Sequence, residues 1–157
     1  MFSWIKNQVF VIMPFSGNGM NEAFRAIEQA CSNRGMPALR ADEAGGSAIV
    51  MRKIVKLILE SEFIIADLSY ARPNVYFEIG FALGVGNLSS DVLLVARKGS
   101  ELHFDIAPYH VQFYESTEEL ESLVEASLQK MKQASPHQLR RWSIQIMRKI
   151  TLRLLDA

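Results

Sequence analysis

Phe63-Ile64-Ile65-Ala66-Asp67-Leu68, then a break at Pro73, then Asn74-Val75-Tyr76-Phe77-Glu78-Ile79-Gly80-Phe81-Ala82 is the stretch on which the fold turns. Its first part is an unbroken apolar run, too short for a helix and ending in an acid. That pattern predicts a strand buried on both faces, as in a parallel sheet. The second part predicts a helix with one carboxylate, Glu78, among aromatic and aliphatic residues. Ligands of open parallel sheets bind beyond the carboxyl ends of the strands, which places Asp67 and Glu78 at the ligand edge.

Working outward, Gln8-Val9-Phe10-Val11-Ile12-Met13 reads as a second buried strand, broken by the loop Pro14-Phe15-Ser16-Gly17-Asn18-Gly19. A helix is predicted from Met20 to Asn33, with Ala23, Ile27, Ala30 and Cys31 at helical spacing and Gly35 and Pro37 as its stop. Ala38 to Asp42 is a weaker strand. Ser47 caps a helix expected over Ala48 to Ser61, with Ile54, Leu57, Ile58 and Ser61 facing inward. The helix after Pro73 is expected to run from Asn74 to Gly84. Val92 to Ala96 and Val111 to Tyr114 are further strands, and Ser116-Thr117-Glu118-Glu119 opens another helix. Strands alternating with helices imply an α/β fold of three layers around one parallel sheet of about five strands. The segment 135–157 differs in kind. Leu139, Trp142, Ile146, Ile150 and Leu154 form an apolar stripe opposite Arg140, Arg141, Arg148, Lys149 and Arg153. We expect a domain over 1–134 and, over 135–157, an amphipathic helix used for docking or oligomerisation.

The 157 residues suit one domain, and 49% apolar with 22% charged residues suits a soluble globular protein. The formal net charge of zero gives no reason to expect a nucleic-acid partner. A lone cysteine, Cys31, excludes an intramolecular disulfide and reads as a small core residue. The start lacks the pattern of a signal peptide, and no run approaches the ~20 apolar residues of a membrane span. The expected setting is cytoplasmic, without membrane contact. His103, His110 and His137 lack metal-site spacing, and no glycine-rich phosphate loop is present, so neither metal nor cofactor is expected.

Helical spacing puts Asn74, Glu78 and Ala82 on one face. Partial desolvation there raises the pKa of Glu78, whereas a helix N-terminus favours the anion. On pattern alone Glu78 is equally an ordinary acid of a first helical turn, and Asp67 equally a ligand contact or a loop cap.

Three blocks carry a family resemblance: Val9-Phe10-Val11-Ile12-Met13-Pro14-Phe15, Ala66-Asp67-Leu68-Ser69, and Asn74-Val75-Tyr76-Phe77-Glu78-Ile79-Gly80-Phe81-Ala82-Leu83. Together they resemble the nucleoside 2-deoxyribosyltransferase-like superfamily, and more closely its branch of bacterial TIR-like predicted nucleotide-binding proteins. Leu102 to Ile106 and Val111 to Tyr114 extend the likeness, which covers roughly residues 8 to 115. The resemblance implies a flavodoxin-like or TIR-like sheet and a glutamate acting at C1′ of a nucleoside or nucleotide. Carried over, that glutamate is Glu78. Asp67 would engage a ribose hydroxyl or orient the base, and the loop from Phe15 through Ser16 and Gly17 would form the other wall. Tyr70, Arg72 and Asn74 complete the implied substrate-binding set. N-glycosidic cleavage passes through an oxocarbenium-like state that a carboxylate stabilises or traps.

One departure matters. The transferases carry an aspartate on the helix before the third strand to handle the leaving base, and the matching position here is near Ile54, beside Arg52 and Lys53. That disfavours base exchange; the basic pair reads first as a solvated helix face, and otherwise suits a phosphate or pyrophosphate. The expectation is a hydrolase of the N-glycosidic bond of a nucleotide or dinucleotide, NAD foremost, of a bacterial antiviral-defence type and working as a homo-oligomer. The alternatives are a nucleotide sensor without catalysis, or a deoxyribosyltransferase.

Overall fold

The computed structural model describes residues 5–41, 47–87, 89–106 and 109–134. In chain order the elements are β1 (Ile5–Ile12), α1 (Met20–Asn33), β2 (Ala38–Arg40), α2 (Ser47–Glu60), β3 (Ser61–Asp67), α3 (Pro73–Gly84), β4 (Val92–Arg97), β5 (Val111–Tyr114) and α4 (Thr117–Ala134). The strands form one sheet in the order β2-β1-β3-β4-β5, and every neighbouring pair is parallel. This is the flavodoxin-like order, in which strand direction of travel reverses between β1 and β3 and leaves a crevice there. The expected three-layer α/β fold is the one observed.

The central strands are continuous apolar runs because both their faces are covered. Val9, Val11, Met13, Phe63, Ile65 and Val95 enter one core with α1 and α4. Phe10, Ile12, Ile64, Ala66 and Leu94 enter the other with α2 and α3. The period of two along each strand thus splits one run of sequence into two cores. Cys31 lies in the first core, where burial pushes its thiol up to about 12, a pKa at which it is inert as a nucleophile.

Two strands begin earlier than their apolar runs suggest. Ser61, expected on the inner face of a helix, is instead the first residue of β3. The reason is polar pairing between strand ends: Gln8 Nε2 donates to Ser61 Oγ at 2.9 Å, and the Asn7 backbone N–H donates to Glu62 Oε2 at 2.6 Å. Asn7 has φ 63° where the β1–β3 register shifts. β2 in turn stops at Arg40. At α4 the predicted start signal works as written. Ser116 Oγ accepts from the Glu119 N–H at 3.2 Å, and Glu119 reaches back to the Glu115 N–H at 2.7 Å, a reciprocal cap.

The connection from β4 to β5 is unusual. A parallel crossover ordinarily carries a helix, but among the described residues of 98–110 there is only the 3-10 turn Phe104–Ile106. On the α2/α3 side, Leu94 and Ala96 of β4 are buried in the core that α3 shares, whereas Phe113 of β5 keeps 46% of its surface. The helix expected over 135–157 lies outside the described residues. No described helix is long and apolar enough to cross a membrane.

Candidate functional site

Glu78 lies on the buried side of α3 with Val75, Ile79 and Ala82 and retains 7% of its accessible surface. The helix begins at Pro73, so Glu78 belongs to its second turn and not, as expected, to the first. The favourable field of a helix N-terminus fades within that first turn. Burial therefore wins, and it pushes the Glu78 carboxyl from the usual 4.5 to about 7, partly opposed by a hydrogen bond with the Asn74 side chain. Asn74 and Glu78 are brought together as the spacing predicts. Tyr76, Gly80 and Leu83 occupy the other side of α3, facing His103, Ile106 and Tyr109, so helical geometry turns Glu78 away from them.

Asp67 has a different environment. It continues the alternation of Phe63 and Ile65 and so points into the α1/α4 layer, across the sheet from Glu78. It has no exposed surface. Its Oδ2 accepts from Tyr114 Oη at 2.7 Å and its Oδ1 from the Ser69 N–H at 2.8 Å. Ser69 Oγ accepts in turn from the Arg97 N–H at 2.8 Å. Burial first, and then the Asp67 charge, push the Tyr114 phenol up to about 12, so it stays a donor. This network pins together the carboxyl ends of β3, β4 and β5.

The loop after β1 forms the other wall. Phe15 packs against the α2/α3 core, the side of Glu78, whereas Tyr70 packs against the α1/α4 core. Ser16 and Gly17 are exposed. Tyr70 Oη donates to the Asn18 carbonyl at 2.9 Å, and its ring lies where a Cβ at Gly17 would come within 2.9 Å. Tyr70 thus ties the loop after β3 to the loop after β1. Next to Tyr70 in the loop after β3, Ala71 takes φ 46°, a left-handed conformation that costs a residue with a Cβ about 1–2 kcal/mol. Arg72 is exposed and caps α3 through its backbone, with no side-chain capping bond.

Two arginines that sequence reasoning missed flank this loop. Gly19, at φ 76°, is the cap of α1 and contributes no capping side chain. A Cβ there would collide with the Arg97 guanidinium. On the other flank, the Arg40 guanidinium lies 4.4 Å from the Phe24 ring centroid and 5.9 Å from that of Phe15. Its Nε is buried with no hydrogen-bond partner. Arg40 and Arg97 are the final residues of β2 and β4. A charged residue closing an apolar strand was the available signal, the same one that drew attention to Asp67. Arg52 and Lys53 are exposed on α2, and Ile54 between that helix and the sheet is a buried core residue.

No family model matches the sequence, and no curated protein does. Among solved structures, the chain is similar to the CMP N-glycosidase of Clostridium botulinum, with a TM-score of 0.61 and 14% identity over 76% of this chain and 98% of that one. It is also similar to a variant flavo di-iron protein of Thermotoga maritima (TM-score 0.58, 16% identity, 82% of this chain and 37% of that one). The constitutive lysine decarboxylase of Escherichia coli follows at TM-score 0.52 and 11% identity, over 80% of this chain and 17% of that one. At these identities the likeness is one of fold.

Proposed function

We propose that this protein hydrolyses the N-glycosidic bond of a nucleotide, with Glu78 as the carboxylate that acts at C1′. The observation that carries the reading is Glu78 itself, a desolvated carboxylate above the crevice edge of a flavodoxin-like sheet, held by Asn74 and with its pKa raised to about 7. Near neutral pH such a group is ionised in a useful fraction and incompletely solvated. It is therefore suited to meet the positive charge that develops at C1′ as the base departs with the bonding electron pair. Water then completes the hydrolysis at C1′.

A phosphate has a natural place beside this carboxylate. The capless start of α1 offers backbone N–H groups, and Arg97 and Arg40 flank the loop that leads into it. The similarity to a CMP N-glycosidase supports the same class of substrate. In this reading Phe15, Ser16 and Gly17 wall the ligand, Tyr70 and Arg72 cover it, and Asp67 positions the edge through Tyr114 and Ser69. Hydrolysis of NAD by a self-associating defence protein is the narrower form, and it rests on the resemblance of the Asn74 to Leu83 block.

The test is chromatographic detection of free base from CMP, dCMP and NAD, at high protein concentration. Release that is lost in Glu78→Gln supports the proposal, and the preferred substrate fixes its narrower form. Release that persists unchanged in that variant overturns it. One observation favours a second reading, a nucleotide sensor without catalysis: Ile54 is packed into the core where a base-handling acid would be needed. Calorimetry showing tight nucleotide binding with no base release would select that reading.

A further inference from the structure

A helix at a protein surface ordinarily turns charged residues outward. α1 exposes Glu22 and Arg25, α2 exposes Arg52 and Lys56, and α4 exposes Glu118 and Lys130. α3 departs from this. Its one charged residue, Glu78, lies on the buried side, and Pro73, Phe77, Gly80 and Gly84 form an exposed stripe at helical spacing. Phe77 is the knob of that stripe and keeps 61% of its surface. The glycines are the notch beside it. Neither takes a positive φ, and a Cβ at either would meet no atom within 4 Å. Glycine weakens a helix interior, and no contact among the described residues requires it at these two positions. Alongside Gly80 opens a cavity of about 480 Å³ walled by Tyr76, Leu83, His103 and Tyr109.

We infer that α3 is the contact helix of a two-fold dimer, packed antiparallel on the α3 of a second copy, with each Phe77 ring seated at the partner's Gly84 and the cavity beside it. Three observations converge on a second copy as the occupant. The face is self-complementary, as a two-fold contact requires, because it carries both a knob and a hollow. With the axis between residues 80 and 81, positions 77 and 84 both lie about 5 Å from it along the helix, so each knob meets the other subunit's notch. The glycines let the two helices approach to roughly 8 Å, the near end of the usual range. Charge permits the pairing. The exposed residues of α3 and the cavity lining include no Asp, Glu, Lys or Arg, so identical faces meet without like-charge repulsion, which Arg52 and Lys56 would impose on α2. The area is of the right order. Phe77 and Tyr109, at 61% and 39% exposure, alone offer about 200 Å², a quarter of the ~800 Å² that each partner of a standard interface buries. Pro73, Asn74 and the two glycines add to it. Because α3 also presents Asn74 and Glu78, the same contact would hold the helix of the candidate site in place.

The experiment is sedimentation equilibrium of the full chain over a range of concentrations, which reads mass and is therefore separate from any measurement of base release. The parent should rise from 17.7 kDa to twice that mass. Phe77→Ala should weaken the dimer roughly tenfold or more, and Gly80→Arg, which fills the notch with a charge, should leave a monomer. Both positions are exposed, and replacing a helical glycine favours the helix, so circular dichroism should be unchanged. Ser32→Arg, on the exposed face of α1, should associate like the parent. A gain of signal completes the test. Gly80→Cys places two thiols across the axis within the 4.4–6.8 Å Cα separation, roughly, that a disulfide spans, and mild oxidation should trap a covalent dimer while the buried Cys31 stays unreacted. A parent that remains monomeric throughout, a dimer indifferent to both Phe77→Ala and Gly80→Arg, or a Gly80→Cys variant that does not cross-link would each overturn the inference.

Discussion

Asp67 and Glu78 stand at the same edge of one sheet and differ in almost every physical respect. Asp67 has both carboxylate oxygens engaged, by the Tyr114 hydroxyl and the Ser69 N–H, and is sealed from solvent. Glu78 is nearly as buried but lies on a helix beyond the reach of its N-terminal field, with Asn74 as a hydrogen-bonding neighbour and its pKa driven to about 7. One acid spends its charge on joining three strand ends. The other keeps a charge that its surroundings do not fully solvate, and that is a condition for acting on a substrate. Burial alone therefore does not tell these two carboxylates apart. The number and geometry of donors around each do.

The contrast breaks most visibly through Glu78→Gln. Base release from the preferred nucleotide should fall by about three orders of magnitude, measured under single-turnover conditions. Asp67→Ala should instead act on the fold, lowering the unfolding free energy in urea by about 2–4 kcal/mol because a buried tyrosine hydroxyl loses its acceptor. A variant at Asp67 with unaltered stability and abolished turnover would reverse the two assignments.

The pH dependence sharpens the comparison further. With Glu78 acting as the anion, the rate should climb about tenfold per unit below pH 7 and level off above it. Its folded pKa lies above the usual 4.5, so the folded protein holds an extra proton between those values and stability falls as pH rises through that window. Glu78→Gln should remove that slope, and above pH 7 it should be the more stable protein by ~1–2 kcal/mol after allowance for solvent screening. Smaller effects belong to the loops. Gly19→Ala forces a Cβ into positive φ and against Arg97, and should cost about 1–2 kcal/mol while weakening phosphate-dependent binding in calorimetry. Ala71→Gly relieves a left-handed alanine. Its melting temperature should change by no more than the equivalent of about 1 kcal/mol.

The sheet and its helices were legible because two-sided burial writes itself into sequence as unbroken apolar runs such as Val9 to Met13. The pairing of Asn74 with Glu78 was legible because helical spacing is rigid. The strand starts at Ile5 and Ser61 were not. They depend on polar contacts, Gln8 with Ser61 and Asn7 with Glu62, between residues distant in sequence. For the same reason the partners of Asp67 were hidden: Tyr114 arrives from the far strand, and nothing local announces it. Arg40 and Arg97 escaped notice because a lone cation at a strand end acquires meaning only once the loop it flanks is placed.

The position of β1 has a consequence for synthesis. β1 is made first, yet it sits between β2 and β3 and finds its second neighbour only when Asp67 has been added. At about 5–20 residues per second, that leaves the Val9 to Met13 run without its β3 partner for several seconds as the chain emerges. Contacts across such sequence distances also slow refolding relative to helical domains of the same size. A freshly made chain therefore carries an apolar strand that waits for its second neighbour, and its yield in cells should depend on chaperone supply more than its final stability would suggest.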